Sequence, residues 1–209
     1  MSYIPHPLLT DIVCRIGQRG FRQLGPFIAA SPFFKKIVFS PEVLSEVDID
    51  EFIFSSGFAN EGKGYRRLLE ECLTAKNYAA QYVEGLRIMI QVGPSQISLD
   101  LVGEAARASI YARFAYGILL ICCGSLDDGL LVTDNFLSKV ASIEEAVEIT
   151  EVVMCQIKEM GTLGTRVFKG YYHFITVPHC HLIHHMALDI CQDCFTYTYA
   201  STVEKLFVY

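Results

Sequence analysis

Basic residues are few and scattered along this chain. Lys and Arg number 17 against 23 Asp and Glu, and no cluster exceeds the pairs Lys35-Lys36 and Arg66-Arg67. A net charge of −6 without a basic stripe excludes a nucleic-acid partner. Long apolar runs are missing too: the longest, Phe114 to Cys123, falls well short of the roughly 20 residues that span a bilayer, so it reads as a buried helix and no membrane partner is expected. The opening Met1-Ser2-Tyr3-Ile4-Pro5-His6 has neither the positive segment nor the apolar stretch of a secretory signal. Gly-x-Ser-x-Gly, a Gly-rich phosphate loop and His-Glu-x-x-His are all absent, which points away from catalysis and from a cofactor. The acid pairs Asp127-Asp128 and Glu144-Glu145 read as structural, the first in a Gly-bounded turn and the second at a helix start.

What the chain does have is apolar content. Hydrophobic residues make up 52% and charged residues 19% of 209, enough for one full domain plus a small docking module and far from a disordered composition. Of its eight cysteines, Cys122 and Cys123 are adjacent and Cys14, Cys72 and Cys155 fall in helical apolar patterns, which suits reduced, buried thiols inside the cell. Apolar residues at Leu8, Ile12 and Ile16 and at Leu9, Val13 and Ile16 give one short helix two apolar faces. So small a module cannot bury both, so one face is expected to be an interface. Gly17 and Gly20 end this helix, and a second apolar pattern from Phe21 to Val38 is broken by Pro26 and Pro32.

Ile4-Pro5-His6-Pro7-Leu8-Leu9-Thr10-Asp11-Ile12-Val13-Cys14-Arg15-Ile16 resembles the opening of an F-box: apolar-Pro, two positions, Leu-Leu, two positions, two branched apolars, any residue, Arg, apolar. Phe21 to Phe34 resembles the later F-box helices more loosely, with Ala30 and Pro32 where many members carry Cys and Lys or Arg. Pro7 stands where an acid usually precedes the Leu pair, and Pro suits the first turn of a helix. The resemblance implies that Pro5, Leu8, Leu9, Ile12 and Ile16 contact the Skp adaptor, which connects to a cullin and a RING subunit. It implies a non-catalytic substrate receptor of a ubiquitin ligase, working in nucleus and cytoplasm on a protein substrate that the sequence does not name.

Residues 49–64, with Ser55-Ser56-Gly57 and Asn60-Glu61-Gly62-Lys63-Gly64, have the composition of a linker between the F-box module (1–48) and a second, longer helical region. Helical spacing recurs through residues 65–161: Tyr65, Leu68, Leu69 and Cys72; Tyr82, Leu86, Met89 and Ile90 after the turn signal Asn77; Ile97, Leu101, Ala105 and Ala108; and Ile110, Phe114, Ile118 and Ile121. Leu130, Thr133, Leu137 and Val140 continue the pattern, and Ser142 with Glu145 forms a capping box for a helix ended by Gly161. Ala80-Gln81-Tyr82-Val83-Glu84-Gly85-Leu86 matches Ala112-Arg113-Phe114-Ala115-Tyr116-Gly117-Ile118 at Ala, aromatic, Gly and branched apolar, with an offset typical of stacked helix pairs; chance similarity between Ala-rich helices is the alternative. The expected fold is therefore all-α: an F-box helical module, then a short α-solenoid of Sel1-like or tetratricopeptide-like pairs, an arrangement that resembles a group of plant F-box proteins. Tyr82, Arg87, Tyr111, Arg113 and Tyr116 are the residue types that anchor interfaces and mark a candidate substrate surface, although Tyr82 equally suits the core.

Residues 162–209 read as an irregular tail. Val167 to Thr176 mixes aromatic and β-branched residues, and Phe195-Thr196-Tyr197-Thr198-Tyr199 alternates like a strand. His179-Cys180-His181, His184-His185 and Cys191-Gln192-Asp193-Cys194 concentrate metal-ligand types, so Cys180, His184 or His185, Cys191 and Cys194 could build a tetrahedral zinc site; with a single Cys-x-x-Cys, buried thiols and surface imidazoles remain the simpler expectation and no metal is assigned. Two other functions stay open: a repeat-type scaffold without a ligase, and a small zinc or thiol enzyme.

Overall fold

The computed structural model describes residues 4–161, 176–181 and 191–208. Among them are twelve α-helices and two 3-10 turns, with no strand, so the described residues are all-α as expected. None of these helices is long and apolar enough to cross a membrane. The chain divides into two compact units, Met1–Glu84 and Gly85–Tyr209.

The first unit is built from short helices because prolines and glycines interrupt its apolar pattern. Helix α1 (His6–Gly17) is followed by the 3-10 turn Phe21–Leu24, α2 (Gly25–Ala30), α3 (Pro32–Val38) and α4 (Pro41–Leu44). Pro26 lies in the first turn of α2 and Pro32 in that of α3, where the missing N–H costs nothing. Ser31 caps α3 by accepting the Phe34 N–H. Between α1 and the 3-10 turn, Gly20 adopts φ +119°, a conformation that side chains other than hydrogen resist. The end of α1 is tied down by two backbone bonds, Asp48 N–H to Gly17 O at 3.0 Å and Phe21 N–H to Asp48 O at 2.9 Å.

Residues 49–64 are not a spacer. They form α5 (Glu51–Phe54) and the 3-10 turn Ser56–Ala59, and they deliver Phe52, Ile53, Ser56 and Ala59 to the buried interior. Phe52 meets Phe21, Phe58 and Tyr65 ring to ring, at centroid distances of 5.6, 6.1 and 6.3 Å. Their turn-rich composition reflects tight local bends, and the aromatics between the bends supply the burial. α6 (Arg66–Thr74) and α7 (Tyr78–Gln91) come next, and the division between the units falls within α7. Lys76, at φ +63°, terminates α6 as its N–H returns to Leu73 O and that of Asn77 to Cys72 O. Arg66 holds Glu84 through both carboxylate oxygens and also donates to Ala59 O, with both charged side chains largely buried.

Cys72 lies fully buried on α6, and burial, followed by the charge of Glu71, pushes its thiol up from the ordinary 9.0 to about 12. Because the folded value is the raised one, this contribution to stability is intact below the unfolded thiol's pKa. It is lost as pH climbs from about 9 towards 12. Stability of the first unit should therefore fall by up to about 3–4 kcal/mol over that window. Cys72→Ala should flatten this alkaline slope, measured as the denaturation midpoint against pH.

In the second unit α8 (Gln96–Ala105), α9 (Ile110–Cys122), α10 (Leu126–Leu137), α11 (Ile143–Glu159) and α12 (Gln192–Val208) pack so that α9 is central, buried on nearly every side from Ala112 to Cys122. Small residues set the crossings. A Cβ on Gly85 would come within 2.8 Å of Val102 Cγ2 on α8, and one on Gly117 would come within 2.6 Å of Thr133 Oγ1 on α10. These are the glycines that the internal similarity aligns, and each lets a neighbouring helix approach closely. α8 keeps only part of its expected face: Ala105 is buried and Leu101 half-buried, but Ile97 and Ala108 are exposed while Ser98 and Val102 are buried. Ser95 and Ser98 cap that helix reciprocally. At α11 the Ser142 hydroxyl accepts the Glu145 N–H as expected, but the Glu145 carboxylate reaches the Ala141 N–H instead of closing the box on Ser142. Asp127 and Asp128 lie in the first turn of α10 rather than in a loop, and Ser125 donates to Asp128 at 2.8 Å.

The strand-like tail is a helix. Along α12, Phe195, Tyr199 and Val203 are buried at a spacing of four, and this longer period outweighs the local Thr-Tyr alternation. Phe195 and Tyr199 join Phe114 of α9 and Phe136 of α10 in one aromatic cluster, with ring centroids between 4.8 and 6.2 Å apart. The expectation for residues 167–175 lies outside the described residues, as do His184 and His185.

Candidate docking surface and thiol cluster

Helix α1 separates its two apolar stripes cleanly. Val13 is 0% exposed and Gly17 is buried, with Leu9 and Ile16 half-buried beside them, so one stripe faces the interior of the first unit. The other stripe faces outward: Leu8 is 54% and Ile12 41% exposed, four residues apart on one side of the helix. Pro5 is exposed at the N-cap position with φ −58° and ψ 143°, and Ile4 just before it is 48% exposed. Of the five residues assigned to the adaptor, Pro5, Leu8 and Ile12 thus lie open, while Leu9 and Ile16 are shared between the outer surface and the packing beneath. Arg15 pairs with Asp11 at 3.2 Å on the exposed part of the helix.

One apolar residue of this surface escaped the sequence analysis. Phe33 of α3 is 49% exposed, and its ring meets His6 of α1 edge-on at 6.0 Å. α3 packs against α1, which brings Phe33 to the start of the outward stripe. The signal lay in Phe33-Phe34 after Pro32, adjacent aromatics that point in different directions along a helix; Phe34 takes the more sheltered side against Phe27 at 5.6 Å.

No family model, curated protein or solved structure matches this chain. The F-box resemblance therefore rests on the residue pattern from Ile4 to Ile16.

The candidate substrate residues are not one surface. Tyr82 is fully buried and Arg87 nearly so, with Arg87 donating to Gln91 at 3.0 Å; both serve packing, since they lie on the inward side of α7. Tyr111 is half-buried. Arg113 spends its guanidinium on the carbonyls that end α8, donating to Ala106 O at 3.1 Å and Arg107 O at 3.4 Å. Tyr116 lies over Gly103, and with Arg107, Arg113 and the exposed Leu131 it lines an open groove of about 500 Å³ on the second unit.

Cysteines behave less uniformly than their helical patterns suggest. Cys72 and Cys122 are buried, and burial raises both thiols, whereas Cys155 is exposed and Cys14 half-exposed. Cys180, Cys191 and Cys194 come together: the Sγ of Cys180 is 3.5 Å from each of the other two, and all three atoms lie within 4.8 Å. Burial, and then hydrogen bonds shared with Cys180 and Cys191, raise the Cys194 thiol.

Proposed function

We propose that this chain is a non-catalytic substrate receptor of a Skp/cullin/F-box ubiquitin ligase, with α1 as the docking helix for the Skp adaptor. One observation carries the proposal: in a helix with two apolar stripes, Val13 anchors one inside while Leu8 and Ile12 stay exposed on the other, with Ile4 and Phe33 nearby. Leaving that much apolar surface in water is unfavourable by roughly 25 cal/mol per Å², a cost that a covering polypeptide removes. Pro5, Leu8, Leu9, Ile12 and Ile16 are assigned to the adaptor on the F-box pattern, and Phe33 joins them on position.

The helices of the second unit serve as a short array of stacked pairs that holds the substrate. Gly85 and Gly117, each at a close helix crossing, are the internal support for that repeat. Within the array the groove beside Tyr116, Arg107 and Leu131 offers an aromatic, a cation and an exposed apolar side chain, the residue types that anchor protein interfaces. The chain breaks no bond. It raises the local concentration of substrate beside the conjugating enzyme, so that ubiquitin transfer becomes effectively intramolecular.

The test is affinity purification of the tagged chain with identification of a retained Skp adaptor and cullin. Leu8→Asp combined with Ile12→Asp should remove both while leaving the unfolding midpoint unchanged, since neither side chain is in the core. Undiminished retention by the double variant would refute the docking assignment. Retention of the adaptor without a cullin would leave a scaffold rather than a ligase subunit.

A further inference from the structure

We propose that Cys180, Cys191 and Cys194 form a structural zinc site that staples the turn at residues 178–181 to the start of α12. Three observations converge on it, and none depends on the docking role of α1.

The first is the arrangement of the sulfurs. Zinc binds thiolate sulfur at about 2.3 Å in a tetrahedron, which places neighbouring sulfurs about 3.8 Å apart. Cys180 Sγ lies 3.5 Å from both Cys191 Sγ and Cys194 Sγ, and the trio fits within 4.8 Å, so an ion can reach all three with small adjustments. A disulfide needs sulfurs about 2.05 Å apart and uses two, leaving a third thiol stranded in the cluster. A metal uses all three.

The second is how the backbone presents them. Cys191 and Cys194 are separated by one turn, with Cys191 immediately before α12 and Cys194 in its first turn, so helical geometry puts both on one side. Cys180 arrives from a separate segment, held by the bond from the His181 N–H to Pro178 O at 2.9 Å. The His181 ring packs edge-on against Tyr197 of α12 at 4.8 Å.

The third is rigidity behind the ligands. Cys194 is buried next to Phe195, which is locked into the aromatic cluster, so the start of α12 cannot swing away. Three sulfur donors select a soft or borderline ion, and zinc has no geometric preference to conflict with a tetrahedron. The three thiolates fill three of the four tetrahedral positions. The thiol protons leave to solvent as the ion binds, and the staple between two separate segments is what makes the role structural.

The full chain should be purified without chelator, loaded with zinc, desalted and assayed for metal, then alkylated and mapped by mass spectrometry. The expected result is one zinc per chain, with Cys180, Cys191 and Cys194 protected from alkylation and released by chelator, while the exposed Cys155 reacts throughout. Cobalt should give an intense thiolate charge-transfer band at the same stoichiometry, and Cys191→Ser should reduce that band and loosen zinc retention at least tenfold. Four results would overturn the proposal: no retained zinc, protection confined to other cysteines, a disulfide between two of the three sulfurs in chain purified without reductant, or zinc held equally well after Cys191→Ser. The alkylation map of the unmutated chain keeps the test decisive even if a serine variant fails to fold.

Discussion

Asn77→Ala is expected to destabilise the first unit by about 3–5 kcal/mol. Asn77 is buried and works in two directions at once. Its Oδ1 accepts the N–H groups of Ala79 and Ala80 at 3.0 and 3.2 Å, which caps the start of α7. Its Nδ2 donates to Leu44 O at 3.0 Å and Val47 O at 2.8 Å, with Ser45 O at 3.3 Å, and so gathers the carbonyls at the end of α4. Alanine removes the cap and leaves those buried carbonyls without their donor, a penalty larger than the mean value of a hydrogen bond. Asn77→Ser should recover only the capping share, about 1 kcal/mol, because a hydroxyl cannot reach α4 as well. Urea denaturation, with hydrogen exchange to assign the loss to amides of the first unit, measures both.

Phe195→Ala should cost the second unit about 3–5 kcal/mol. The ring is fully buried and meets Phe114 at 6.1 Å, Phe136 at 6.2 Å and Tyr199 at 4.8 Å. Three rings lose their neighbour and leave a void that rigid helices cannot close. Phe195→Leu should recover more than half of the loss, because most of the volume returns. Chemical denaturation followed by amide exchange in α9 and α12 would show the effect. A cost below about 1 kcal/mol would mean that α12 contributes little to the interior.

These two residues also show where sequence patterns speak and where they fall silent. Asn77 was legible as a turn, since its side chain competes for backbone bonds, but its amide grip on α4 is a contact across some thirty residues that no local pattern encodes. Phe195 was misread because five residues of Thr-Tyr alternation imitate a strand, whereas the decisive period of four needs Val203 to be seen. The helices α6 to α11 emerged from apolar spacing and glycine stops because both are local physics. The face that α8 buries did not fully, since the close approach of Gly85 to Val102 is a tertiary contact that no local pattern encodes. Residues 49–64 resembled a linker because their glycines and serines outnumber the aromatics that matter, Phe52 and Phe58.

The candidate docking site was more readable than the candidate substrate site for a similar reason. Leu8, Ile12, Leu9 and Val13 lie on one helix, so their division into two stripes comes from helical geometry alone. Tyr82 and Arg113 carry interface-type side chains, but burial inside and hydrogen bonds to the end of α8 claim them first, and both are tertiary facts. The three cysteines fall between these cases: Cys191 and Cys194 share a helix start, whereas their meeting with Cys180 depends on the fold.

Titration calorimetry of the full chain against purified Skp adaptor tests the central claim most directly. Saturable binding at one to one is predicted, weakened roughly 100-fold or more by Leu8→Asp with Ile12→Asp at an unchanged melting temperature. Absence of binding by the folded, unmutated chain, or equal affinity in the double variant, would contradict the account.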